Sequence, residues 1–472
     1  MLGHEVGAGE PTRGARRRVA VDAGAAEGAE RSGSAEGGAE GVGGGAALGT
    51  SRKEFHPHPD TAPDAPRRQR FTRRQQSAEW LIRQARLDAG LPPVATPGTT
   101  ADSPEWVRPP RPARCRWRLG ENVGVHADDG GAHFSGLERC GSVWACPVCS
   151  AVIRHERASD IERAVSSWLG SDGTSHGLVF VTLTMRHRKA DALAVSLDAA
   201  LKAWQDILRG KAWVQAKARF GIRGYVRAVE VTYGSNGWHP HIHALLWLDA
   251  PLAKGELAAL EEHLFSRWLA RVTHHGGGAP SRLRGIDVRQ ADKDGKVLAQ
   301  YLAKVQDGSG SGPDSGSRYG VAQEMARADW KSGRTGSLSP FEMLDRGEDE
   351  DAEKYRHLWC EYVAATHGRR AITWSRGLRD LVGLDDEMTE DEILDAAEAA
   401  PLRFVIPGKE WDAVKNAPAV LTACLEALEA GRLDLSMALV GGSLLEPLVD
   451  VRTGEVVFPG EWGVSPPEWG AA

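Results

Sequence analysis

The sequence predicts an α+β protein: an antiparallel sheet with helices mainly on one face, preceded by a small Cys-rich module and followed by a mainly helical region. Three observations lead there. From about residue 176 the apolar period switches between 2 and 3.6 in the order β-α-β-β-α-β-α. The two central runs, "YVRAVEVTY" and "HPHIHALLWL", are separated by "GSNG", a hairpin signal. Cys140, Cys146 and Cys149 cluster just ahead of the first strand.

Along the chain, residues 1–65 are rich in Gly, Ala and Arg and poor in large apolar side chains, so they predict a disordered arm. Residues 66–110 hold a basic run (Arg67, Arg68, Arg70, Arg73, Arg74), a short helix in "SAEWLIRQARLDAGL" and a Pro-rich linker. Residues 111–165 form the Cys-rich module and 170–307 the sheet domain. Within that domain "GLVFVTLTM" reads as a buried strand, and "ADALAVSLDAALKAWQDILRG" as an amphipathic helix ending at Gly210. After the hairpin come the helix "KGELAALEEHLFSRWLARV", the strand "GIDVRQ" and a last helix, "GKVLAQYLAKV". A flexible, basic segment covers 308–345, and 346–472 is acidic and mainly helical, with a capping box between Thr389 and Glu392.

Composition narrows the function classes. No run of 18 apolar residues and no signal-like N-terminal segment is present, which predicts a cytoplasmic protein away from membranes. The net charge of −6 argues against nucleic acid as a partner, but its distribution argues for it. Residues 111–340 sum to +8 and residues 341–472 to −15, so a basic middle suited to phosphates is joined to an acidic tail.

The hairpin carries the chemistry. Side chains alternate along a strand, so His241 and His243 leave one face about 7 Å apart and can converge on one metal. If Ser235 and Asn236 are the two turn residues, Glu230 stands opposite His241 and adds a carboxylate on that face. An N,N,O set with open positions suits Mg²⁺ or Mn²⁺ holding phosphate oxygens. A lone strand histidine usually packs or hydrogen-bonds; a His-apolar-His opposite a Glu is rarer. His239 shares the parity but lies nearer the turn, a spare. On the last helix Leu298, Leu302 and Val305 form the apolar stripe, with Tyr301 about 60° off it and Lys304 further round. A metal beside a phenol and a lysine makes a coherent phosphodiester site: Tyr301 as nucleophile, Lys304 stabilising the phenolate or the phosphate charge. Arg186, His187, Arg188 and Lys189 follow the first strand directly and suit phosphate positioning in DNA.

In "CGSVWACPVC" the C-P-x-C knuckle can aim two thiolates at one structural Zn²⁺. Cys140 adds a third ligand and Cys115 is the best fourth, with His133 and His155 as alternatives. The surrounding arginines suit DNA contacts or a solvated face equally.

These residues resemble the HUH endonuclease superfamily, whose domain is RRM/ferredoxin-like, and within it the rolling-circle replication initiators (Rep) of actinobacterial plasmids and integrative elements. "FVTLTMRH", "GWHPHIHALL" and "YLAK" carry the resemblance as motifs 1, 2 and 3, giving His241 and His243 as metal ligands and Tyr301 as nucleophile. It implies binding of a replication origin, supercoiled or single-stranded at the nick, and strand-specific nicking that leaves a 5′-phosphotyrosine and a 3′-OH primer. Host helicase and DNA polymerase are the implied partners. Relatives that place a Glu four residues before the tyrosine differ here, where Val297 stands. The rivals are an HUH transposase or relaxase-like nickase, a non-catalytic zinc-module DNA-binding regulator, and a metal hydrolase of small molecules.

Overall fold

The computed structural model describes residues 65–128, 130–170, 176–291 and 337–443, with short strand pairs at Leu448–Val449 and Val456–Val457. All lie within the unit His58–Ala472. Helix α1 (Ala65–Asp88) is longer than the short helix expected, because its basic first half is anchored. Arg67 pairs with Glu429, Arg73 with Asp345, and the buried Arg74 donates to the Cys115 carbonyl. A one-turn helix α2 (Arg111–Arg114) leads to the hairpin of β1 (Asn122–Asp128) and β2 (Gly131–Ser135), and α3 spans Pro147–Gly170.

The main sheet follows the expected order. Strand β3 (Gly177–Leu183), helices α4 (Leu193–Ile207) and α5 (Gly210–Phe220), the hairpin β4 (Ile222–Gly234) and β5 (Gly237–Leu248), helix α6 (Lys254–His274) and β6 (Ile286–Gln290) succeed one another. Gly210 does not close the preceding helix. With φ of +75° it opens α5, whose Trp213, Ala216 and Phe220 are buried. The expected last helix, with Tyr301 and Lys304, lies outside the described residues.

Further on come α7 (Pro340–Met343), α8 (Ala352–Thr366), β7 (Ile372–Trp374), α9 (Leu378–Leu381), α10 (Glu390–Ala396), β8 (Leu402–Pro407), α11 (Gly408–Val414), α12 (Pro418–Glu429) and α13 (Leu433–Val440). The capping box at α10 forms as read: Thr389 Oγ1 accepts from the Glu392 amide and the Glu392 carboxylate accepts from the Thr389 amide. Strand order in the large sheet is β6-β3-β5-β4-β7, every pair antiparallel. A second sheet, β2-β1-β8, joins the hairpin before the cysteines to a strand from the acidic region.

Helices cover the large sheet mainly on one face. Val179, Val181, Ile242, Leu246 and their neighbours pack under α4, α5 and α6. The opposite face, with Leu178, Phe180, Leu245 and Trp247, is crossed by α3 through Ile161, Ala164 and Trp168. Among the described residues no helix is long and apolar enough to cross a membrane.

Candidate functional site

The two-residue turn at Ser235-Asn236 fixes the register of the hairpin, so Gly234 pairs with Gly237 and Glu230 with His241. Gly237 is needed there: its φ is +87°, and a Cβ would lie 2.8 Å from the Lys189 backbone. His243 pairs with Ala228 on one side and Thr182 on the other. The small Ala228 leaves room for the His243 ring to reach diagonally to Glu230, Nε2 to Oε2 at 2.8 Å. His241 Nε2 lies 3.7 Å from the same oxygen. Glu230 and His243 are 7% and 3% exposed, and the donor atoms of Glu230, His241 and His243 lie within 4.8 Å of one another.

The far side of each ring is also held. His241 Nδ1 is 2.9 Å from the His239 carbonyl oxygen, so it donates there and Nε2 is the nitrogen that faces Glu230. His243 Nδ1 is 3.2 Å from the Thr182 hydroxyl, and Phe180 stacks on the His243 ring at 5.4 Å. Outer partners of this kind set ring orientation and ligand basicity. Thr182→Val should therefore weaken divalent-metal affinity about 10- to 100-fold with little change in melting temperature, as read by isothermal titration with Mn²⁺. Sequence reading missed Thr182 because the β3–β5 register is a long-range pairing that no local signal sets.

His239 sits between His241 and His187, its ring centroid 4.5 and 4.7 Å from theirs. Burial first, then those two neighbouring rings, push its pKa down to about 3. Arg186, Arg188 and Lys189 are exposed, while His187 is half-buried with Nδ1 2.9 Å from the Asn236 carbonyl oxygen. The four thus stand at the end of β3 beside the hairpin turn, adjoining the histidines.

The four thiols Cys115, Cys140, Cys146 and Cys149 are all buried and unpaired by disulfides. Cys115 follows α2, Cys140 follows β2, and Cys146 and Cys149 flank Pro147 at the start of α3. Their Sγ separations of 3.5, 3.7 and 3.8 Å match the edge of a Zn–S tetrahedron, about 3.8 Å for 2.3 Å bonds. Hydrogen bonds, led by that from Cys140, hold Cys115 well below the usual thiol range, and the same interactions push Cys140 and Cys146 well above it. Four buried thiols whose sulfurs converge in this way are a site for a cation, which would let them ionise together. Of the alternative ligands, His133 stacks instead on His126 at 5.1 Å, and His155 is exposed on α3.

A family model described as a replication protein matches residues 137–258, the span that holds Cys140, Cys146, Cys149, Glu230, His241 and His243. A "Protein rep" of Streptomyces lividans is 36% identical over 324 residues, covering 56% of this chain and 68% of that protein. The chain belongs to the Rep family of replication proteins. A second Rep relative, from Lactiplantibacillus plantarum, is 25% identical over 173 residues, covering 34% of this chain and 52% of its own length. A protein of Streptomyces cyanogenus called "Neomycin resistance protein" is 37% identical over 142 residues, 25% of this chain and 32% of that one. No solved structure matches the chain significantly. This Rep chain therefore falls in the family that its motifs resemble, the rolling-circle plasmid replication initiators.

Proposed function

We propose that this Rep protein binds its origin DNA and nicks one strand, with Tyr301 as the nucleophile. The observation that carries the reading is the Glu230–His241–His243 group at the sheet end, with Glu230 and His243 buried and His241 half-buried, and the exposed cations after β3 beside it. Its two imidazole nitrogens and one carboxylate fit Mg²⁺ or Mn²⁺, which when bound would draw charge from the non-bridging oxygens of a phosphodiester. Arg186, His187, Arg188 and Lys189 hold the flanking phosphates. The Tyr301 oxygen forms a bond to phosphorus as the bond to the 3′-oxygen breaks. The phenol proton is lost and a proton is gained by the 3′-oxygen, leaving a 3′-OH primer and a 5′-phosphotyrosine. Lys304 stabilises the phenolate, whose reference pKa of about 10 otherwise leaves little of it near neutral pH. The four cysteines hold a structural Zn²⁺. Extension from the released 3′-OH falls to a DNA polymerase, with a helicase opening the duplex.

The test uses supercoiled plasmid carrying the element's own origin, with Mn²⁺ or Mg²⁺, resolved on denaturing gels. Protein covalently attached to the cut 5′ end, formed only with metal, is the expected result. Cut strands with free 5′ ends would overturn the tyrosine mechanism. Binding without cleavage would make the chain a non-catalytic regulator.

A further inference from the structure

The β3–α4 loop, the β4–β5 turn and the loop before β6 enclose a cleft of about 850 Å³ that adjoins the histidine row through His239. Its lining among the described residues holds Arg186, Arg188 and Arg284 with His187 and His239, and no carboxylate. Among the described residues none of the three guanidinium groups has an acidic partner, whereas Arg282, just outside, pairs with Glu261 and Glu262. The backbone that carries these cations is also held in place. Arg186 donates its amide to the Gly278 carbonyl, and a Cβ at Gly278 would lie 2.3 Å from the Arg186 carbonyl oxygen. Gly237 closes on Arg188 and Lys189 from the other side. The third wall is a tight turn in which the Arg284 and Gly285 amides both donate to the Ser281 carbonyl, and Thr184 Oγ1 donates to the Arg284 carbonyl. At its tip Leu283 is 87% exposed.

We infer that this cleft seats the unpaired DNA strand next to the cut site: Arg186, Arg188 and Arg284 take successive phosphates, and Leu283 packs on the face of a base. The inference rests on the nicking reading for the position of the strand, but its chemistry stands on the cleft. Cations on a held backbone, without carboxylate partners among the described residues, suit a chain of phosphodiesters, and an exposed apolar side chain at the rim suits an unstacked base.

Fluorescence anisotropy with a dye-labelled, mixed-sequence DNA single strand of roughly 20 nucleotides, in magnesium-free buffer over a range of salt, reads each part. The Arg186→Ala/Arg284→Ala double variant should bind about tenfold more weakly and lose about 1.4 from the slope of log affinity against log salt, the value for two phosphate contacts on a single strand. Leu283→Ala should weaken binding a few-fold with the slope unchanged, since an apolar contact releases no counterions. Arg282→Ala should stay within about twofold of wild type. An unchanged slope in the double variant, or an equal loss in Arg282→Ala, would overturn the assignment. Tyr301→Phe should bind this strand as wild type does, so failure of the nicking mechanism and failure of the cleft give different results.

Discussion

Tyr301→Phe should abolish the covalent protein–DNA product and lower strand cleavage by at least about a thousandfold, because no other atom of that side chain can attack phosphorus. The change removes one hydroxyl and keeps the ring, so folding and DNA binding should remain. Metal binding by Glu230, His241 and His243 should also remain, since those ligands come from one hairpin whose register its own turn sets. Single-turnover cleavage of labelled origin DNA, with Mn²⁺ affinity measured in parallel, separates the cases. Loss of cleavage with unchanged metal affinity assigns the nucleophile. Cleavage that survives would mean that water or another side chain attacks, and the Glu/His/His group would then be a hydrolytic centre.

Local signals explain why that hairpin was legible. A two-residue turn fixes every pairing, so the Glu230–His241 juxtaposition follows from counting residues. The four cysteines were legible for a similar reason, since the C-P-x-C spacing brings two thiolates together within a few residues. What stayed hidden depends on long-range pairing. β7 has three residues, too few to show a period, yet it completes the edge of the large sheet beside β4. Helix α5 carried a readable pattern in Trp213, Ala216 and Phe220, which Gly210 obscured by resembling a helix end.

Charge was the least legible property. The arginines around the cysteines read as DNA-facing or solvated, but several meet the acidic region instead. Arg111 pairs with Asp391, Arg118 with Asp412, Arg139 with Asp395 and Glu398, and Arg157 with Glu387. Arg116 is half-buried, with its guanidinium over the rings of Phe71, Phe134 and Trp411. Two arginines after Gly368 likewise turn inward, Arg369 onto Asp198 and Arg379 onto Asp160. Charge totals along a sequence do not separate cations that face a partner from cations that face the chain's own carboxylates. Arg186, Arg188 and Lys189 at the end of β3, exposed and without ion-pair partners among the described residues, are thus more informative about ligands than the larger basic total of residues 111–340.

Cys146→Ser should abolish the proposed zinc site and unfold the module around it. Metal binding contributes about 10–16 kcal/mol to folding in zinc-finger peptides, and a serine hydroxyl neither replaces the thiolate nor finds a partner in a buried site. The consequences should spread, because Cys146 and Cys149 begin α3, and α3 covers the sheet face on which Phe180 stacks against His243. Ile393 and Leu394 of α10 are buried in the same cluster as the thiols, so the docking of the acidic region depends on it too. Metal analysis should give close to one zinc per chain in the wild type and close to none in the variant, with the melting temperature lowered by about 10 °C or more. Cys360→Ser provides the control: its sulfur stands apart from the cluster, near the Trp80 carbonyl, and zinc content should not change. A Cys146→Ser protein with wild-type melting would show that the four thiols are only packed together. Chelation of the wild type should reproduce the variant's loss of stability, and adding Zn²⁺ back should restore the wild type alone.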